Sequence, residues 1–224
     1  MNGIRNNLKI RKSEADNIIN FLKLIENEDM NYQAYTIKKL IVKTSIKSGI
    51  ILMLYNAVEA IVTDCLKKIH QKLISEALTF DNCNENIKKL IFVYYEKAKD
   101  KSNDVHNRIS YMLKFHDYIQ EKRCFELSYE ELSKFYSLYS GNLDGKVIIS
   151  VLNKYGLGFD KQIGELKTIK DKRNKLAHGE ESFEEVGREL SLEQLESMKD
   201  KTFQYLKEMI DEIDRFIRDE KYKN

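Results

Sequence analysis

Apolar residues recur at intervals of three and four over most of this chain, the period of a helix that buries one face. The clearest run is Ile50, Leu54, Ala57, Ile61, Cys65, Ile69 and Leu73. It predicts a helix from about Tyr32 to Ala77. Between Ile50 and Val62 nearly every face of that helix is apolar. A helix apolar all round is usually buried, so this one is expected at the centre of a bundle. A second run, Leu195, Met198, Thr202, Leu206, Met209, Ile213 and Phe216, predicts a C-terminal helix. Ser191-Leu-Glu-Gln194 opens it as a capping box. Its last spacings of four, three, four and three suit packing along another helix.

Weaker patterns fill the remainder. Ser13 reads as the cap of a first helix to Asn27, with Ile18, Ile19, Leu22 and Leu24 inward. Helices are expected over 87–98 and 104–122, and Ser128-Tyr-Glu-Glu131 caps another as far as Tyr139. Residues 79–86 and 141–145 read as a loop and a turn. Residues 147–152 are β-branched enough for a strand, but with no partner strand they are read as helix. A helix over 160–178 carries Ile163, Leu166, Ile169, Leu176 and Ala177, and Gly179 stands where a C-cap glycine belongs. No repeat, linker or composition break divides the chain, so the expectation is one all-α domain over residues 1–224.

Composition sharpens this picture in three ways. The chain has 224 residues and no proline, where average usage of ~5% would give about eleven; long uninterrupted helices are favoured. Lys and Arg number 38 against 36 Asp and Glu, a net charge of +2. That excludes a strongly cationic nucleic-acid coat, so any such contact must be local. The three cysteines, Cys65, Cys83 and Cys124, are an odd set without CxxC spacing, which points to a reducing cytoplasm rather than a disulfide framework. The first fifteen residues lack the apolar core of a signal peptide. The longest apolar stretch, 50–62, contains Asn56 and Glu59 and falls short of the ~20 residues that span a bilayer. A cytoplasmic protein without a membrane partner is expected.

Chemistry concentrates in Asp171-Lys-Arg-Asn-Lys-Leu-Ala-His-Gly179. Arg173 and His178 stand five apart, about 140° around a helix, so they flank one edge rather than stack on one face. An imidazole can give and take a proton near neutrality, and a guanidinium can hold phosphate oxygens with two parallel bonds. From Asp160 to His178 six Lys/Arg oppose three Asp/Glu, a local +3, and Lys167, Lys170, Lys172 and Lys175 are placed to track phosphates beside Arg173. From Glu180 to Glu220 fourteen acidic residues oppose six basic ones, an asymmetry that would steer a polyanion toward the basic segment. Glu59 on an apolar helix needs a partner, since burying a lone charge is costly. His70, His106 and His116 show no metal-ligand spacing, and Gly156-Leu-Gly-Phe-Asp-Lys-Gln-Ile-Gly164 has the wrong spacing for a dinucleotide loop.

Arg173-Asn-Lys-Leu-Ala-His178 resembles the Arg-polar-x-x-x-His signature of the HEPN superfamily (higher eukaryotes and prokaryotes nucleotide-binding). More widely, the chain resembles the small stand-alone HEPN-like nucleases of bacterial toxin and anti-phage defence loci. Leu54-Tyr-Asn-Ala-Val-Glu-Ala60 is similar to the first half of that group, and His178 through Gly187, Arg188, Ser191 and Leu195 to its C-terminal half. Residues 82–156 match nothing in it and read as a family-specific helical insertion.

The resemblance implies a helical bundle that dimerises about a two-fold axis, so that two motif helices form one composite ribonuclease site. It makes Arg173 and His178 catalytic, with Asn174 in support and Glu59 and Asn56 as polar residues of the central helix near the site. The elementary chemistry agrees. When a 2'-hydroxyl of RNA attacks the adjacent phosphate, the reaction needs a base, an acid and a cation; two His and two Arg supply them without a metal or cofactor. Expected products are a 2',3'-cyclic phosphate and a 5'-hydroxyl, from tRNA or another structured RNA. Such a nuclease needs a cognate antitoxin or a sensor protein to restrain it. The competing expectation is a non-catalytic HEPN-like dimerisation module that scaffolds a defence complex.

Overall fold

The computed structural model describes residues 1–27, 33–102, 104–120 and 125–224. Among these the chain forms α1 (Asn2–Asn27), α2 (Gln33–Ser75), α3 (Glu85–Lys101), α4 (Val105–Gln120), α5 (Tyr129–Phe135), α6 (Gly145–Asn153), α7 (Gly164–His178), α8 (Phe183–Arg188) and α9 (Leu192–Arg218). No strand occurs among the described residues, only an isolated bridge between Cys83 and Lys223. The protein is an all-α bundle.

Three long helices make its spine. Every member of the periodic run Ile50, Leu54, Ala57, Ile61, Cys65, Ile69 and Leu73 is buried, as a central helix requires. On α9, Leu195, Thr202, Leu206, Met209, Ile213 and Phe216 are buried too. α1 lies against both of these helices. It runs antiparallel to α9: Arg5 binds Asp211 at 2.8 Å and Asp214 at 2.9 Å, while Asp16 and Lys23 pair with Lys199 and Glu196. It is antiparallel to α2 as well, through Asn7–Asp64 at 2.8 Å and Glu26–Lys47 at 3.5 Å. Buried apolar side chains form one continuous cluster from Ile4 to Tyr222 that takes in Leu90 of α3 and Leu132 of α5.

Several expectations need correction. α1 starts at Asn2, not at Ser13, because Ile4 and Leu8 carry its buried face back toward the N-terminus. Of its four expected inward residues, Ile19 and Leu22 are buried, while Ile18 and Leu24 are 36% and 65% exposed. α5 stops at Phe135 rather than Tyr139, and α7 starts at Gly164 rather than 160. Residues 147–152 are helical, inside α6, whose first turn is capped by Asp144. The expected helix start at Tyr32, the helix end at Lys122, and Cys124 lie outside the described residues.

α8 has no counterpart among the expected helices, although Ser182-Phe-Glu-Glu185 forms a full capping box of the same kind as Ser191-Leu-Glu-Gln194. It crosses α2 at very short range. A Cβ on Gly187 would lie 2.0 Å from the Thr44 carbonyl oxygen, and the Ser48 hydroxyl donates to the Phe183 carbonyl at 2.6 Å. The segment Leu40–Ser75 of α2 is long and apolar enough to cross a membrane by length and composition, with 56% of its most apolar stretch buried inside the bundle.

Candidate active site

α7 is oriented by Leu166, Ile169 and Leu176, which are buried. It ends where the sequence says it must. Gly179 takes the left-handed conformation at φ 68° and its N–H bonds the Leu176 carbonyl. A glycine reaches that conformation without the clash a side chain would bring. Arg173 is thereby turned along the flank of α2, and His178 occupies the last turn, exposed to solvent.

The guanidinium of Arg173 is held on several sides. Its Cζ lies 3.8 Å from the centre of the Tyr55 ring, a cation–π stack. Nη1 donates to Asn174 Oδ1 at 2.9 Å. Nη2 donates to the Gly141 carbonyl at 2.6 Å and to Glu59 Oε1 at 3.4 Å. Tyr55 and Glu59 are one turn apart on α2, and the Tyr55 hydroxyl lies 2.9 Å from Glu59 Oε1. The same hydroxyl donates to the Gly141 carbonyl and accepts from the Leu143 N–H at 3.1 Å. Burial pushes the Tyr55 phenol up to about 12, and the Glu59 carboxylate adds to that shift while the Leu143 N–H opposes it. Tyr55 is therefore a neutral phenol at physiological pH.

Thus Arg173, Asn174 and Glu59 come together. The Glu59 carboxylate has the partner its place on an apolar helix demanded. Asn174 reaches outward, its Nδ2 donating to Asn142 Oδ1 at 2.8 Å. Asn56 is exposed one position after Tyr55 and makes none of these contacts. His178 joins no hydrogen bond with the other site residues and stands open beside the Gly179 turn.

Three of the four candidate phosphate-tracking lysines are turned to carboxylates. Lys170 binds Asp144 at 2.7 Å, Lys172 binds Glu189 at 2.5 Å, and Lys175 pairs with Glu181. Lys167 is exposed. Burial pushes the Asp144 carboxyl up, but the Lys170 ammonium and the Val147 N–H outweigh it and hold the group below its ordinary value.

Residues that sequence reasoning left out of the site are Tyr55 and the turn at 141–143. Tyr55 reads as a core position, and it is 1% exposed; only its spacing of four from Glu59 hinted at a shared face. The turn was legible as a turn, but its meeting with α7 is a long-range fact. Away from the site, Cys65 and Cys83 are buried and unpaired, and burial pushes the Cys83 thiol up to about 11. His70 is structural. Its Nδ1 lies 2.6 Å from the Leu127 carbonyl, which can only accept, so Nδ1 carries the proton and Nε2 accepts from the Tyr155 hydroxyl at 2.9 Å. Among the described residues no group of three or more His, Cys, Asp or Glu could hold a metal ion.

A family model described as HEPN_MAE_28990-like HEPN matches residues 2–222, nearly the whole chain. No curated protein and no solved structure matches the chain.

Proposed function

The chain belongs to the HEPN family, in the HEPN_MAE_28990-like group, and on that premise we propose that it is a metal-independent endoribonuclease. The observation that supports this best is the contrast within one helix: Arg173 is oriented by α2 before any ligand arrives, while His178 is exposed at the helix end. A fixed guanidinium stabilises charge that develops on a phosphate, and an exposed imidazole is free to move protons. In the proposed two-fold dimer His178 takes the proton of the 2'-hydroxyl. That oxygen attacks the adjacent phosphorus, and the partner subunit's His178 protonates the departing 5'-oxygen. The products are a 2',3'-cyclic phosphate and a 5'-hydroxyl. DNA lacks the attacking hydroxyl and is spared.

Residues 1–224 act as one catalytic domain in this reading, with 82–156 as its family-specific insertion. It is a toxin or defence effector of the cytoplasm, held in check by a cognate antitoxin or sensor protein, and its target is tRNA or another structured RNA. A second reading, a non-catalytic dimerisation module, draws support from the ion pairs of Lys170, Lys172 and Lys175, which leave little free cation along α7. Incubation of the purified protein with total tRNA in EDTA separates the two. Cleavage by wild type that is lost in Arg173→Ala and in His178→Ala supports the nuclease. Inert wild type under every activating condition supports the module.

A further inference from the structure

The way Arg173 is held has a cost for the reaction proposed above. A guanidinium grips phosphate through one of two forks, Nη1 with Nη2 or Nε with Nη2. Nη2 belongs to both. In the structure Nη2 is taken by the Gly141 carbonyl at 2.6 Å and by Glu59 at 3.4 Å, and Nη1 by Asn174. Tyr55 covers one face of the group. Neither fork has both nitrogens free. Of the two acceptors on Nη2, Glu59 is at the long limit of a hydrogen bond, so the Gly141 carbonyl is the stronger competitor for a phosphate oxygen.

The turn that supplies this carbonyl is built in two parts. Its base is fixed: Leu143 is 1% exposed, and Asp144 caps α6 and binds Lys170. Its tip is not. Gly141 has φ 70°, a conformation from which a glycine can swing at little cost. Asn142 is exposed, and its side chain bonds Asn174 of α7 at 2.8 Å. The tip therefore ties the 82–156 segment to the motif helix, and every bond it makes there uses Arg173, Asn174 or the Tyr55 hydroxyl.

We propose that the tip of this turn, Gly141 and Asn142, is an internal latch on Arg173 that must lift before the guanidinium can grip a phosphate. This rests on the ribonuclease reading for its purpose, but not for its test. The latch gives the 82–156 segment a role, which is to hold the site in an unready form until RNA or a partner displaces the tip.

The experiment closes the latch reversibly. Asn142→Cys and Asn174→Cys, in a Cys124→Ser background, are bridged with a one-carbon bis-thiosulfonate and reopened with reductant. Two rates are read on the same protein. One is modification of Arg173 by phenylglyoxal, followed by peptide mass spectrometry, which needs no nuclease activity. The other is cleavage of tRNA. The latch predicts that bridging slows both by about tenfold or more and that reductant restores both. Asn142→Ala, which leaves α7 untouched, should speed the modification about twofold. Equal modification rates with and without the bridge overturn the latch, as does measurable cleavage by the unbridged protein that the bridge leaves unchanged. If bridging slows modification while wild type leaves tRNA intact under every activating condition, the latch stands and the ribonuclease reading falls.

Discussion

The central helix meets two neighbours in opposite ways. At Thr44 it meets α8 backbone to backbone, so close that Gly187 has no room for a methyl group. Three turns later, at Tyr55 and Glu59, it meets Arg173 of α7 through a ring, a carboxylate and a borrowed carbonyl. The first contact admits one arrangement, since packed backbones have no alternative partners. The second is a ring stack and two hydrogen bonds whose acceptors another oxygen can replace. A rigid seam and a replaceable one on the same helix divide the labour: α8 fixes the frame, and the α7 junction is where a ligand can compete.

That contrast can be broken or sharpened at four points. The largest effect is expected just beyond the replaceable seam, at the exposed end of α7, in function rather than stability. His178→Ala should lower RNA cleavage by about 10²–10⁴-fold, the usual range for a general acid or base, while thermal unfolding stays within about 1 °C of wild type. A large fall in melting temperature would instead make His178 part of the frame. The next effect belongs to His70, a buried polar contact further along α2. Burial lowers its pKa from 6.5 to about 4, with the Leu127 hydrogen bond opposing. The folded-state value is depressed, so its contribution is complete above pH 6.5 and is lost as the pH falls from 6.5 toward 4. The loss is on the order of 3 kcal/mol at most. Denaturant titrations across that window should show it in wild type and show less of it in His70→Gln.

Gly187→Ala tests the rigid seam. The added methyl must push α8 from α2, and overpacking of this kind costs about 1–3 kcal/mol. Calorimetry should record a fall of several degrees; an unchanged melting temperature would mean that the close approach is not fixed. The smallest effect is expected from Tyr55→Phe, which keeps the stack on Arg173 and removes the hydroxyl that binds Gly141 and Leu143. A loss near 1 kcal/mol is typical for such a bond. Tyr55→Leu, which removes the stack too, should cost more in both stability and cleavage.

What the sequence disclosed follows the same division. The helices that bury a stripe against the spine were legible, because burial writes a period of three and four into α2 and α9. The end of α7 was legible because only Gly179 suits its left-handed cap. α8 shows no such stripe despite its capping box, since six residues are too few to show a period. The start of α1 is masked because Ser13 resembles a cap, yet the buried Ile4 and Leu8 precede it. At the site, Arg173, Asn174, His178 and Glu59 stood out as types and spacings. Tyr55 did not, because a buried phenol in an apolar run looks like core. The Gly141 carbonyl could not, because a main-chain group has no letter of its own and its role comes from chain 32 residues away in sequence.

The most direct measurement of the whole account is the chemistry of the cut ends. Purified protein is incubated with tRNA in EDTA, and the fragments are weighed by mass spectrometry. The account predicts 2',3'-cyclic phosphate and 5'-hydroxyl termini from wild type and intact tRNA from His178→Ala. Fragments with 3'-hydroxyl and 5'-phosphate termini, or equal cleavage by the variant, would contradict it.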